Sequence, residues 1–340
     1  MARRHKVILV DGMEGDAPMP AVEEREELAA IDAELVILGC RTEEELIEQA
    51  KDADAILTWG APVTRRVLEC LPDCQCVIRY GVGYDTVDIE GATDNSVVVI
   101  NVPDFCWEEV ANHAIALLLC CAKKIVQLDD LVRQGRWGEA KAVQAPMGAV
   151  YGQTLGIVGC GNIGRTLARK AAAFGLEVVG YDPYLDASAA AAAGIRLVSL
   201  EELLKSSDYI SVHTNLTPET RHLVGEEELA LMKPSAFILN TSRGPVIDEA
   251  ALIEALRQGK IAGAGLDVFE QEPIDPDNPL LTMPNVVVLP HSASYSDAAF
   301  ARLRRSAAQE AVRVLSGRWP KNVVNTTVTP KKALQKEERP

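Results

Sequence analysis

Excess positive charge is the first thing this chain lacks. Its 340 residues carry 34 Lys and Arg against 49 Asp and Glu, a formal net charge of −15. Such acidity repels phosphate backbones and anionic lipid, which argues against nucleic acid or a membrane surface as a partner. Long apolar runs are missing too: no stretch reaches the roughly 20 residues a membrane-spanning helix needs. The start, MARRHKVILVDG, passes from basic residues into an apolar run too short for a secretory signal. No C-x-x-C pair stands among the eight cysteines. Cys70, Cys74 and Cys76 cluster without metal-type spacing, so no metal is expected. Cys120, Cys121 and Cys160 sit in apolar runs, which fits reduced thiols and a cytoplasmic protein. No internal repeat of solenoid period is present.

What is present is ordinary globular material, 48% apolar and 24% charged, long enough for two domains. Strand-like runs at 6–10, 34–38, 54–58, 76–79 and 97–101 alternate with helical stretches. That spacing predicts a small parallel sheet covered on both faces. Residues 105–134 read as one long helix with Val110, Ala114, Leu117, Leu118, Cys121 and Ile125 on its apolar stripe. Its length suggests a span between domains or a contact with a partner subunit. Residues 135–152 read as a loop. Further strands are expected at 155–158, 177–181, 195–198, 208–212, 236–240, 265–268 and 286–290, with helices between most of them: a second, doubly wound sheet. A last helix at 296–316 is expected to fold back on the first sheet. Residues 328–340, rich in Lys, Glu and Pro, read as a flexible tail.

The second sheet opens on TLGIVGCGNIGRTLARKAAAFGLEVVGYD, residues 154–182. Gly159, Gly161 and Gly164 stand in G-x-G-x-x-G spacing between a strand and a helix. The first glycine permits the tight turn, the second lets a pyrophosphate approach the backbone, and the third lets helix and strand pack closely. The helix N-terminus then offers free N–H groups to the phosphates. Alone, such a turn is often merely structural. Here Asp182 follows 18 residues after the last glycine, at the end of the next strand. A carboxylate there accepts bonds from a ribose 2′-OH and repels a 2′-phosphate, which points to NAD rather than NADP.

Ligands of open α/β sheets bind beyond the carboxyl ends of the strands. Those ends carry His213 and Thr214, then Thr241, Ser242 and Arg243, then Asp267, then His291, with Glu272 in the loop after Asp267. Arg243 can bind a substrate carboxylate in two-pronged fashion and polarise an adjacent carbonyl. His291 can pass one proton near neutral pH, and Glu272 beside it would favour the imidazolium. Singly, such residues are more often surface ion pairs or satisfied loop residues. As a set beside a dinucleotide turn they predict hydride transfer to or from a carbonyl carbon.

Several segments resemble one family in the order that family has them. They are RYGVGYDTVD (79–88), NVPDFCWEEVANHAIALLL (101–119), GCGNIG (159–164), NTSRGPVID (240–248), GLDVFEQEP (265–273) and PHSA (290–293). Over most of residues 1–320 the chain resembles the NAD-dependent D-2-hydroxyacid dehydrogenases, and among them the branch that includes the C-terminal-binding proteins. The resemblance implies a Rossmann NAD-binding domain, 105–292, inserted into a flavodoxin-like substrate domain built from 1–104 and 293–327. Both would be doubly wound parallel sheets. It implies interconversion of a 2-oxoacid and a D-2-hydroxyacid, with Arg243 on the substrate carboxylate, Glu272 paired to the histidine and His291 as acid/base. Arg79 and the turn Gly81, Val82, Gly83 would bind substrate. Asn162, Ile163, Asp182, His213, Thr214, Thr241, Ser242, Asp267 and Ser294 would join the glycines around NAD. A homodimer would form through the long helix after Phe105.

Departures narrow the choice. Pro290, where formate dehydrogenases have Gln, and Val82, where phosphite dehydrogenases have Lys, argue against those activities. The length leaves no room for the regulatory domain of many phosphoglycerate dehydrogenases. Ser294 stands where the C-terminal-binding proteins have Trp. The alternative to an enzyme is an NADH-sensing, corepressor-like binding module. The substrate side chain is left open: Trp59, Phe105, Trp107, Met147 and Tyr295 would line an apolar pocket or simply pack, and Arg65 and Arg66 would meet a second acidic group or stay solvated.

Overall fold

Strands that alternate with helices and are apolar throughout have to be covered on both faces, and two parallel sheets satisfy that demand here. The computed structural model describes residues 3–14, 17–40 and 42–336. The chain divides into two units, Met1–Phe105 with Ser296–Pro340, and Cys106–Tyr295 inserted between them.

In the first unit, β1 (Lys6–Leu9) is followed by a short hairpin, β2 (Met13–Glu14) and β3 (Ala17–Pro18), then β4 (Glu34–Ile37), β5 (Ala55–Thr58), β6 (Cys76–Arg79) and β7 (Val98–Ile100). The sheet runs β4-β1-β5-β6-β7, parallel throughout. Ile8, Ile56, Val77 and Val99 pack on Leu46, Val67, Leu68 and Leu71. The helix Glu43–Gln49 starts on a capping box in which Thr42 and Glu45 satisfy each other's backbone N–H. Arg65–Glu69 and Ile89–Asp94 are helices too short to show a period in the sequence. Cys74 and Cys76 are buried in this unit and Cys70 is exposed; burial pushes the Cys74 thiol up to about 12.

The closing helix, Asp297–Leu315, starts on Ser296, whose hydroxyl accepts the Ala299 N–H. It covers the first unit as expected, burying Ala299, Leu303, Ala307, Ala311 and Val314 and pairing Arg305 with Glu26 and Glu27 of the helix Val22–Leu28. The chain then joins the edge of the sheet. Val323 bridges Ile100, and the buried Asn325 side chain accepts the Val99 N–H and donates to the Val97 carbonyl. The flexible tail is a correction for residues 328–336. Val328 is buried, Lys331 donates from its backbone to Ser96 and from its amine to the Leu71 and Pro72 carbonyls, and Gln335 pairs with Gly317 and Trp319. Composition does not announce this because most of the anchors are hydrogen bonds to main-chain groups, with Val328 the one buried apolar residue among them. Residues 337–340 lie outside the described residues.

The second unit holds β8 (Thr154–Val158), β9 (Glu177–Tyr181), β10 (Arg196–Leu197), β11 (Tyr209–Val212), β12 (Phe237–Asn240), β13 (Gly263–Leu266) and β14 (Val286–Val288). Its order, β10-β9-β8-β11-β12-β13-β14, is parallel throughout, with the strand order reversing at β8. That reversal opens the crevice in which dinucleotides bind. The single helix expected at 105–134 is broken. Trp107–Ala122 ends at Lys123, Lys124 takes a left-handed conformation, and Ile125–Arg133 starts anew. Lys124 also donates its amine to the Val143 carbonyl, which ties the break to a further helix, Trp137–Ala142, in the segment expected to be a loop. Six residues containing a glycine carry too little periodicity to announce themselves.

Candidate active site

The turn after β8 has the shape its spacing predicts. Gly159 stands at φ 91, and a Cβ there would lie 2.8 Å from the His213 carbonyl carbon, so β8 and β11 could not close up around any other residue. A Cβ at Gly161 would meet no protein atom within 4 Å, which leaves open space above the turn. The helix Asn162–Ala173 begins directly behind it with no side-chain cap, so its first N–H groups are left for a ligand. Asn162 opens that helix, with Ile163 half-buried behind it. Thr214 contributes a buried hydroxyl with no hydrogen-bond partner among the described residues. Asp182 directly follows β9 and accepts the N–H groups of Cys160 and Tyr184 at 2.9 Å each, holding the carboxylate against the turn. Uncapped helix, open floor, orphaned hydroxyl and acid together fit a dinucleotide.

His213 is bound into the sheet. Its Nε2 lies 2.8 Å from the Ser211 hydroxyl and its Nδ1 3.5 Å from that of Thr241. Burial pushes the imidazole down to about 4, so it is neutral at physiological pH.

After β12, the chain turns on Asn240, which is almost fully buried. Its carbonyl oxygen accepts the N–H and hydroxyl of Ser242, and its amide donates to the Arg243 carbonyl. This Asx turn fixes where Arg243 leaves the sheet, and its signal in the sequence is a turn-forming Asn at a strand end. Gly244 then lets the loop after β13 come close: a Cβ there would sit 1.9 Å from the Phe269 carbonyl. That approach brings Glu272 beside Arg243.

Glu272 and His291 meet. Nδ1 of His291 donates to Oε2 of Glu272 at 2.6 Å, while Oε1 accepts the Phe269 N–H at 3.1 Å. Burial would raise the Glu272 carboxyl, but the bond and charge of His291, the Phe269 N–H and, least of all, the charge of Arg243 outweigh it and hold the group below its ordinary range. With Nδ1 committed, Nε2 is the nitrogen left for chemistry. The ring is 42% exposed, accessible to a substrate. Asp267, fully buried at the end of β13, accepts the Ser292 and Ala293 N–H groups, and half-buried Ser294 follows.

The remaining expected residues belong to the first unit. Arg79 ends β6 and donates to the Tyr80 carbonyl. Gly81 stands at φ 126, its carbonyl accepts the Val102 N–H, Asn101 donates to the Val82 carbonyl, and Gly83 completes the turn. Trp59 stacks on Tyr80 and on Phe300. Arg65 is paired with Asp94, and Arg66 with Glu43 and Glu44. Met147 lines a cavity of about 910 Å³ with Tyr209, Phe237 and Val286, at the starts of the strands and so at the end of the second unit away from His291.

Residues 115–293 match the family described as D-isomer specific 2-hydroxyacid dehydrogenase, NAD binding domain. A glyoxylate reductase of Korarchaeum cryptofilum is 44% identical over 285 residues, covering 83% of this chain and 86% of that protein. A D-3-phosphoglycerate dehydrogenase of Methanocaldococcus jannaschii is 39% identical over 97% of this chain, which spans 61% of that longer protein. Among solved structures, D-lactate dehydrogenase from Aquifex aeolicus, complexed with NAD and lactic acid, superposes with a TM-score of 0.80 at 29% identity, covering 94% of this chain and 99% of that one.

Proposed function

This chain belongs to the D-isomer-specific 2-hydroxyacid dehydrogenase family and is an NAD-dependent oxidoreductase of 2-hydroxyacids; from that premise we propose that it reduces small, unphosphorylated 2-oxoacids, with Arg243, Glu272 and His291 as its reacting set. The observation that carries the reading is the 2.6 Å bond from His291 to Glu272. It holds the ring in one tautomer and turns Nε2 outward as the proton donor. Bound NADH supplies the hydride for the carbonyl carbon. His291 gives the carbonyl oxygen its proton, and Glu272 stabilises the imidazolium before that transfer. Arg243 binds the substrate carboxylate and draws electron density from the carbonyl. Asp182 favours NADH over NADPH. The corepressor-like alternative, and the branch behind it, find no support in the relatives named above, which are enzymes.

The substrate class follows from the relatives and from two arginines. Glyoxylate is the substrate named for the Korarchaeum protein, and phosphoglycerate for the Methanocaldococcus one. Arg65 and Arg66 are the residues that stood ready for a second acidic group, and carboxylates of this chain already occupy them. Glyoxylate-sized acids are therefore favoured. Arg79, Gly81, Val82 and Gly83 are assigned to substrate binding, and Asn162, Ile163, Thr214, Thr241, Ser242 and Ser294 to the cofactor. His213 shapes the cofactor site from behind, since both its nitrogens are engaged in the sheet. The functional unit is a homodimer, and the chain is assigned to the cytoplasm on its eight free thiols.

NADH oxidation read by absorbance across glyoxylate, hydroxypyruvate, pyruvate and 3-phosphohydroxypyruvate tests the reading. Turnover is expected with glyoxylate. Turnover with the phosphorylated acid alone would refute the substrate class, and none with any would refute the reductase.

A further inference from the structure

Asp267 has no exposed surface, yet three of its atoms grip the segment that carries His291. Its carbonyl accepts the His291 N–H at 2.8 Å, Oδ1 accepts the Ser292 N–H at 2.9 Å, and Oδ2 accepts the Ala293 N–H at 2.8 Å. His291 needs such a grip. It stands at φ 53, a left-handed conformation that a side chain with a Cβ keeps only where its surroundings impose it. A buried carboxylate, in turn, needs a counter-group, or it takes up a proton and releases one of its N–H partners.

Among the described residues only one basic side chain comes within ion-pair distance of Asp267. His113, on the helix Trp107–Ala122, brings Nε2 to 3.4 Å from Oδ1. The Asp267 carboxylate is the polar group that this buried nitrogen faces, and the nitrogen has no other partner among the described residues. Its helix is anchored on both sides of it, by buried Val110 and Ala111 before and Ala114, Leu117 and Leu118 after, so the ring's reach is set. Burial alone would raise the Asp267 carboxyl. The contact with His113 and the two N–H bonds outweigh it and keep the group ionised.

We propose that His113 is a positioning residue for the reaction: by holding the Asp267 carboxylate in place it keeps residues 291–293 fixed, and with them the His291 ring. It touches neither substrate nor reacting atoms; it acts through Asp267. The proposal rests on His291 being the acid/base, and it gives a task to a histidine that the apolar stripe of its helix does not account for.

The test compares His113→Leu, His113→Gln and His113→Asn with His291→Ala in the full-length protein, reading kcat, KM for the oxoacid, NADH affinity by fluorescence, and Tm. A displaced ring costs rate rather than binding, so His113→Leu is expected to lose about tenfold in kcat, with KM and NADH affinity within about twofold. His113→Gln places an N–H at nearly the reach of Nε2 and should recover most of the rate. His113→Asn is too short and should stay as slow as Leu, which keeps the comparison decisive if the Leu variant does not fold. Unchanged kcat in the Leu and Asn variants overturns the proposal, as does a Gln variant no faster than Asn. Full turnover in His291→Ala would instead overturn the acid/base reading on which it rests.

Discussion

His291 combines an accessible ring, a fixed tautomer and a carboxylate partner, and each of the three is separable by substitution. Removing the ring removes the proton donor but leaves the glycine turn and Asp182 untouched. His291→Ala is therefore expected to lower kcat by about 10²- to 10⁴-fold while NADH still quenches or enhances fluorescence at wild-type concentrations. Glu272→Gln keeps the shape and removes the charge that partners the ring, so kcat for reduction should fall while NADH affinity holds. An unchanged kcat would mean that Glu272 serves only to hold the loop. Asp182 poses a separate question at the same scale. Its carboxylate repels a 2′-phosphate, so Asp182→Ala should lower NADH affinity and narrow the preference over NADPH by roughly tenfold or more, read as the ratio of the two kcat/KM values.

At the scale of elements, the three glycines of the turn answer to different demands. Gly161 faces open space, whereas Gly159 is held at positive φ against the backbone of His213 and Thr214. Gly161→Ala should weaken NADH binding with little change in Tm, and Gly159→Ala should lower Tm; equal effects would undo the distinction. His213 ties the ends of β11 and β12 and carries a pH signature. Folded, it titrates at about 4; unfolded, at about 6.5. Between those values the unfolded state binds more protons, so stability falls as pH drops through that window and is independent of this group above it. His213→Gln should flatten the decline of the urea midpoint from pH 6.5 to 5. This strand-end architecture was legible in the sequence because alternation and glycine spacing are local signals. The break at Lys124 was not: two lysines in a helical stretch look helical, and it is the bond from Lys124 to the Val143 carbonyl, far along the chain, that favours the turn. The same holds for Asn325 and Lys331, whose partners lie more than 200 residues away. Asn240 was legible in principle and unread, since an Asx turn is specified by one residue and announces no chemistry of its own.

At the scale of the whole molecule, the helix after Phe105 and the two helices that follow it differ in what they leave exposed. The helix Trp107–Ala122 spends its apolar stripe inside the second unit, burying Val110, Ala114, Leu117, Leu118 and Cys121. The next two helices do the opposite: Ile125, Val126, Val132 and Trp137 are all close to half exposed or more, and Leu131 and Ala140 are the buried residues there. Large apolar side chains left exposed on two consecutive short helices are where a second copy would gain most from docking, and Trp137 is the kind of residue that dominates such interfaces. The homodimer proposed above would therefore form through Ile125–Arg133 and Trp137–Ala142 rather than through the helix after Phe105 alone. Light scattering behind a sizing column should give twice the 36.7 kDa chain mass at micromolar concentration. Val132→Glu with Trp137→Ala should give the chain mass itself, since a charge buried at an interface core costs several kcal/mol and the lost indole about 2 kcal/mol or more. The doubly substituted protein should keep its far-UV spectrum, because both residues are exposed in the single chain. A dimer that survives both changes would place the contact elsewhere, and a wild-type chain that runs as a monomer would remove the dimer.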